Sequence, residues 1–251
     1  ARRMVEASRE LEFPLLAGSS LPVTYRLPPV ELPSGSAVAD ALMVGCGGSD
    51  AMDYHALEAM QCMLERRGDG ETGVRAVQLI DGDEVWQAGA AGRWSRPLLE
   101  AAVARSDSRS GIALTDGRPQ DLANSGELEE LVESPAAYFI EYNDGLQATL
   151  LMLNGAVNDY TFAARLDDGN IFSTQFLLPP GPNVTYSACL MRKVEEMIVA
   201  GAAPYPAERT LLVSGTLERC LESRRRDHSR LETPELAVRY RAPDQSQYAL
   251  D

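Results

Sequence analysis

The sequence predicts an α+β fold: a large, mostly antiparallel or mixed β-sheet with helices on one face. Three observations carry this. Four β-rich runs follow one another at 136–142, 147–154, 160–166 and 170–177, with Asp-Gly turns at Asp144-Gly145 and Asp168-Gly169, and Asp-Gly between such runs signals a hairpin. Apolar residues recur at helical spacing over 54–67, 186–200 and 206–224. Phe139, Ile140, Tyr142 and then Leu150–Leu153 do not alternate cleanly with polar residues, so both sheet faces need cover, one of them from a partner subunit or another domain.

Taken in order, residues 1–12 read as an amphipathic helix with Met4, Val5, Ala7 and Leu11 on one face, and 13–18 as a short strand. Such a pair usually closes a parallel α/β sheet, and no strand or G-x-G-x-x-G turn precedes it. The chain is therefore expected to be the back half of a larger two-domain protein. Residues 1–20 would end its first domain, 21–241 would form the α+β domain, and 242–251 a frayed polar tail. Pro22, Pro28, Pro29 and Pro33 make 19–36 an ordered crossing segment. The run VADALMVGCG at 38–47 enters a buried sheet and stops at Gly47-Gly48; Ser49 or Asp53 then caps a helix whose Leu57, Met60, Met63 and Leu64 face a core. A strand follows at 74–80. Asp83 caps a short helix bearing Trp86, and Ser95-Arg96-Pro97 opens another. Residues 106–119 form a polar surface loop placed to act as a lid, and 121–133 are helical. The four β-rich runs form one antiparallel meander, stopped by Pro179, Pro180 and Pro182. Helices from Thr185 and Pro206 and a last strand at 236–240 complete the domain.

The 251 residues are 45% hydrophobic and 24% charged, with a net charge of −14 and both signs interspersed. This excludes non-specific nucleic-acid binding, which needs a cationic footprint. The one basic cluster, Arg224, Arg225 and Arg226, suits the C-terminus of a helix. No apolar run approaches the ~20 residues of a membrane span. The charges among the first twelve residues rule out a signal peptide there, which points to the cytoplasm. Cys46, Cys62, Cys189 and Cys220 include no C-x-x-C pair, and the two histidines, His55 and His228, lie far apart, so buried free thiols are expected and no metal site. Asn183-Val184-Thr185 matches a glycosylation sequon by chance.

Three stretches taken together resemble the Gfo/Idh/MocA oxidoreductases, the glucose–fructose oxidoreductase and inositol dehydrogenase superfamily. They are the helix–strand–proline exit at 1–33, the run ALMVGCGGSDAMDYHALEAMQCM, and the long sheet followed by two helices with APYPAERTLLVSGTLERCLES. The likeness covers almost the whole chain and is greatest to an uncharacterised bacterial branch. It implies that residues 1–20 are the remnant of a Rossmann domain. It also implies NAD or NADP as cofactor of the intact protein, a small sugar-like or polyol substrate, and a homo-oligomer built through the sheet face. The family's Gly-rich phosphate turn and lysine loop are absent from this sequence. Its catalytic signature is an aspartate and a histidine four residues apart, after Gly-Gly at a helix start. His55 matches the histidine, but the residue four before it is Ala51; Asp53 lies two before, Asp50 five before, and Glu58 three after.

His55 suits the role of base toward a secondary alcohol because its reference pKa lies near 6.5. Asp53 and Glu58 are candidate orienters of its ring, Glu58 lying one turn along. Asn183, Thr185 and Tyr186, after the last sheet strand, offer donors and acceptors for polyol hydroxyls. Ser19, Ser20 and Arg26, near the crossing, are candidates for the cofactor cleft. The leading function is the C-terminal part of an NAD(P)-dependent sugar or cyclitol oxidoreductase, a fragment inactive alone. The alternative is a non-catalytic ligand-binding or oligomerisation protein on the same fold. A hydrolase or isomerase using the acids around His55 ranks third.

Overall fold

A computed structural model of the chain describes residues 1–111 and 120–250. The lid expected within 106–119 thus lies mostly outside the described residues. In chain order the elements are α1 (Arg2–Glu10), β1 (Arg26–Leu27), β2 (Val38–Gly45), α2 (Asp50–Leu64), β3 (Val74–Asp81), α3 (Asp83–Ala90), α4 (Arg96–Val103) and α5 (Glu127–Leu131). Then come β4 (Ala136–Tyr142), β5 (Gln147–Met152), β6 (Tyr160–Leu166), β7 (Ile171–Phe176), α6 (Thr185–Ala200), α7 (Glu208–Arg225) and β8 (Leu231–Glu232). The strands form one mixed sheet in the order β1-β7-β6-β2-β5-β4-β3-β8.

The expected meander is instead two hairpins, β4–β5 and β6–β7, held apart by β2, which runs parallel to β5 and antiparallel to β6. The reason lies in β2 itself. Ala41–Val44 is a continuous buried run, which fits a strand paired on both edges and covered on both faces. The connection after β5 crosses the end of β2, where the Leu153 N–H donates to the Gly45 carbonyl.

Side-chain alternation assigns the two faces. A Cβ at Gly45 would lie 3.0 Å from the Ala56 Cβ, so this face lies against α2; α7 packs on β3 and on α2. Asp40, five residues earlier, points the other way and pairs with Arg165, which also donates to Ser95 Oγ at the start of α4. The helices α2 and α7 therefore share one face and the short α4 lies on the other, across β2, β6 and β7. Leu42, Val44 and Leu151 are wholly buried within the chain, as are Ile140, Tyr142, Leu150 and Leu153, while Phe139 is half-buried with the Arg93 guanidinium over its ring. All four cysteines are free and buried, as expected.

Several local expectations change: the helix expected at 121–133 is confined to Glu127–Leu131, and Gly82 rather than Asp83 caps α3. Residues 13–18 form no strand, because their backbone has no ladder partner among the described residues; the chain instead passes over α2, where the Ser19 N–H donates to Glu58. The helix after Gly-Gly starts at Asp50 with Ser49 at its cap position, so Asp53 sits inside its first turn. The last strand is β8, not 236–240. Pro234 opens a 3-10 turn there, and Tyr240 makes one bridge to Glu71. The tail is tied down: the Ala249 N–H donates to Val23, the Tyr248 ring lies 4.3 Å from the Arg26 guanidinium, and Arg66 donates to the Pro243 carbonyl. Among the described residues no helix is long and apolar enough to cross a membrane.

Candidate functional site

The predicted site stretches emerge at one end of the sheet. Val44 of β2 pairs with Thr161, Thr161 with Gln175, and Phe176 with Arg26, so the end of β2, the start of β6, the end of β7 and β1 lie side by side. At about 4.8 Å per strand, β2 and β7 are roughly 10 Å apart there. β2 leads into α2 with His55, β7 leads into the loop with Asn183, and β1 follows the crossing segment with Ser19 and Ser20.

Each predicted residue then takes its own place. Glu58 is fully buried and engaged: Oε2 accepts from the Ser19 N–H at 2.5 Å, and Oε1 accepts from Tyr54 Oη at 3.2 Å and Thr210 Oγ1 at 3.1 Å. A Cβ at Gly18 would sit 2.2 Å from Glu58 Oε1, and the φ of +118° also demands glycine, so the crossing segment rests directly on this carboxylate. Asp53 is buried on a different side of α2 and accepts from Tyr138 Oη at 2.5 Å. Burial raises its pKa, and the tyrosine bond partly offsets this. Two residues apart, Asp53 and His55 diverge by about 200° around the helix.

His55 is half-buried, edge-on to Tyr54 at 6.1 Å between ring centroids, and its Nδ1 is buried without a hydrogen-bond partner. Burial lowers its pKa, with nearby Glu58 working in the opposite sense. The imidazole is thus kept neutral at neutral pH, but neither acid chosen from the sequence holds its ring: Glu58 is taken up by three other donors, and Asp53 faces Tyr138.

Asn183 and Thr185 bond to each other: Asn183 Oδ1 accepts from the Thr185 N–H at 3.0 Å and from its hydroxyl, in a turn just before α6. Tyr186 beside them is half-buried. Ser20 is half-buried and its carbonyl starts a 3-10 turn, while Ser19 is buried with an unpartnered hydroxyl. Arg26 is 2% exposed and engaged inward with Glu31 at 3.1 Å, with the Pro22 carbonyl, and with Cys62 Sγ at 3.5 Å. Phe176 and Tyr248 stack on it. Arg26 therefore locks the crossing segment in place of the cofactor contact expected of it. Ser19 and Arg26 do not fit a nicotinamide dinucleotide, since neither presents a donor at the surface.

Sequence reasoning missed the residues that commit these groups: Tyr138 on Asp53, and Tyr54 with Thr210 on Glu58. The i, i+4 spacing of Tyr54 and Glu58 was a readable signal; Thr210, from α7, gave none. A cavity of about 440 Å³ lies elsewhere, between α1 and the 203–208 loop, lined in part by Phe13, Tyr205 and Arg241. Among the described residues no group of three His, Cys, Asp or Glu could hold a metal ion.

No family model and no curated protein matches the sequence. Solved structures do. GenD2 from gentamicin A biosynthesis, solved in complex with NAD, superposes with a TM-score of 0.54 at 13% identity, over 92% of this chain and 67% of that one. Myo-inositol 2-dehydrogenase from Lactobacillus plantarum gives 0.44 at 8% identity, over 78% and 57%. Aldose-aldose oxidoreductase from Caulobacter crescentus, complexed with glycerol, gives 0.39 at 14% identity, over 78% and 55%. The chain spans between 55 and 67% of these proteins' lengths. The chain thus shares its fold, an open mixed sheet with helices, with GenD2, a fold-level match to the Gfo/Idh/MocA oxidoreductases.

Proposed function

We propose that this chain is the substrate-binding and assembly part of an NAD(P)-dependent oxidoreductase of sugars, cyclitols or related polyols, acting in the cytoplasm as a homo-oligomer. Residues 1–20 would end a first, dinucleotide-binding domain, and 21–241 would form the second. Ser19 and Arg26 do not fit the dinucleotide, so its phosphates and nicotinamide would be held outside this chain. What this chain supplies is a place for the polyol and a base. The observation that carries the reading is the state of His55: a half-buried imidazole whose pKa burial lowers, on the helix that leaves β2. A neutral imidazole can take a hydroxyl proton at neutral pH, and a buried charged one cannot. Ser20 and Tyr186, both partly exposed, are the remaining hydroxyls on the adjoining stretches for the substrate to meet.

The test is calorimetric titration of the full-length gene product with NADH and NADPH, followed by assay of polyol oxidation with myo-inositol, glucose and glycerol. The reading expects binding of one dinucleotide. It also expects His55→Ala to leave that affinity within threefold while lowering turnover at least 100-fold. Absence of binding for both dinucleotides, or unchanged turnover in His55→Ala, rejects it.

One observation favours the alternative, a non-catalytic polyol binder: the imidazole lacks a carboxylate to fix its tautomer, since position 51 is Ala and Glu58 is engaged. That reading expects the same polyols to bind without turnover.

A further inference from the structure

Tyr240 turns its side chain inward and leaves its two neighbours facing out. Its hydroxyl bonds Glu65 and Gln61, and its carbonyl accepts from the Glu71 N–H at 2.9 Å. Side chains alternate along such an extended bridge, so Arg239 and Arg241 project on the same side, with their α-carbons about 6.6 Å apart. Both are exposed, and neither has a hydrogen-bond or ion-pair partner among the described residues.

Together they line a cavity of about 560 Å³, a size that holds a small ligand. Its other wall is the turn at 68–72. Gly70 lets that turn approach: its φ is +124°, and a Cβ there would lie 2.9 Å from the Tyr240 carbonyl. Two of the three acids on the wall are committed elsewhere. Glu71 bonds Arg67 at 2.9 and 3.2 Å, and Asp144 bonds Arg67 at 2.8 Å. Asp69 is exposed and has no partner among the described residues. Two unneutralised guanidiniums thus meet one free carboxylate, in a chain whose net charge is −14. Guanidiniums match oxyanions in fork geometry, and a phosphate dianion can accept from both at once. A free carboxylate suits hydroxyl donors beside it.

We propose that this cavity binds a phosphorylated, hydroxyl-bearing small molecule, with Arg239 and Arg241 on its phosphate and Asp69 on its hydroxyls. Nine residues of α2, roughly 14 Å, separate His55 from Leu64, and the cavity lies beyond that end. The ligand here is therefore not the molecule on which His55 would act, and the proposal is independent of the role of His55.

Calorimetric titration of this chain at low salt with glucose 6-phosphate, glycerol 3-phosphate and inorganic phosphate tests it. The expected result is one saturable site for at least one of the two phosphate esters, with a Kd of about 1 mM or tighter. Inorganic phosphate should bind at least tenfold more weakly. Arg239→Gln and Arg241→Gln should each weaken the ester at least tenfold with an unchanged circular dichroism spectrum, since each removes hydrogen bonds to a charged group. Asp69→Asn should lower the preference for the ester over inorganic phosphate. Equal binding of ester and inorganic phosphate would mean an adventitious ion only, and overturns the proposal. Absence of saturable binding for both esters does so too, as does binding indifferent to both arginine changes.

Discussion

The two ends of α2 differ in kind. At its C-terminal end, polar side chains are buried and nearly all paired: Arg209 clamps Glu65 through two bonds, at 2.8 and 2.5 Å, and Tyr240 Oη donates to the same carboxylate. Gln61 links Tyr240 to Glu71, which Arg67 grips at 2.9 and 3.2 Å. This network ties α2 to α7, to the turn before β3 and to the C-terminal segment. At the N-terminal end, by contrast, His55 is half-buried with an unpartnered Nδ1, although a carboxylate lies one turn away. A buried polar group without a partner costs folding free energy, whereas a paired one fixes geometry. The first end therefore specifies the structure, and the second is where stability has been given up.

The sharpest way to break this comparison is at the paired end. Arg209→Ala leaves Glu65, 2% exposed, buried without its cation, and should cost about 3–5 kcal/mol in urea unfolding. A loss below about 1 kcal/mol would show that the network is incidental. Next comes the seam between the ends. Gly18→Ala places a methyl on the Glu58 carboxylate and strains a positive φ, and should cost about 2 kcal/mol or more by the same measurement. Smallest is the unpaired end itself. His55→Gln should change stability by less than about 1 kcal/mol at pH 8, because no hydrogen bond is lost. It should also change the pH dependence. His55 has a folded pKa below its unfolded value of 6.5, so the unfolded chain binds the extra proton between the two. Stability is then intact above pH 6.5 and falls as pH drops through that window. The variant should lose this slope, and parallel profiles for parent and variant would count against it.

Much of this fold could be read along the chain, and the limits are physical. β4 to β7 and α2, α6 and α7 were legible because their apolar periodicity is local. The insertion of β2 between two hairpins was not, since pairing Val44 with Thr161 and Met43 with Leu150 leaves no trace in spacing. The same holds in the site. His55 stood out by residue type and by its place after Gly-Gly. That Glu58 is unavailable to it depends on Ser19 and Thr210, 39 and 152 residues away. Arg26 stood as a candidate for the cofactor cleft, and its burial depends on Phe176 and Tyr248, which come from distant parts of the chain.

The central claim is that the N-terminal end of α2 holds a neutral, unclamped imidazole. Nuclear magnetic resonance titration of the His55 ring in the folded chain measures this directly, with a His228→Gln variant to assign the signal. The account predicts a midpoint below 6.5, and a midpoint at or above 6.5 would contradict it.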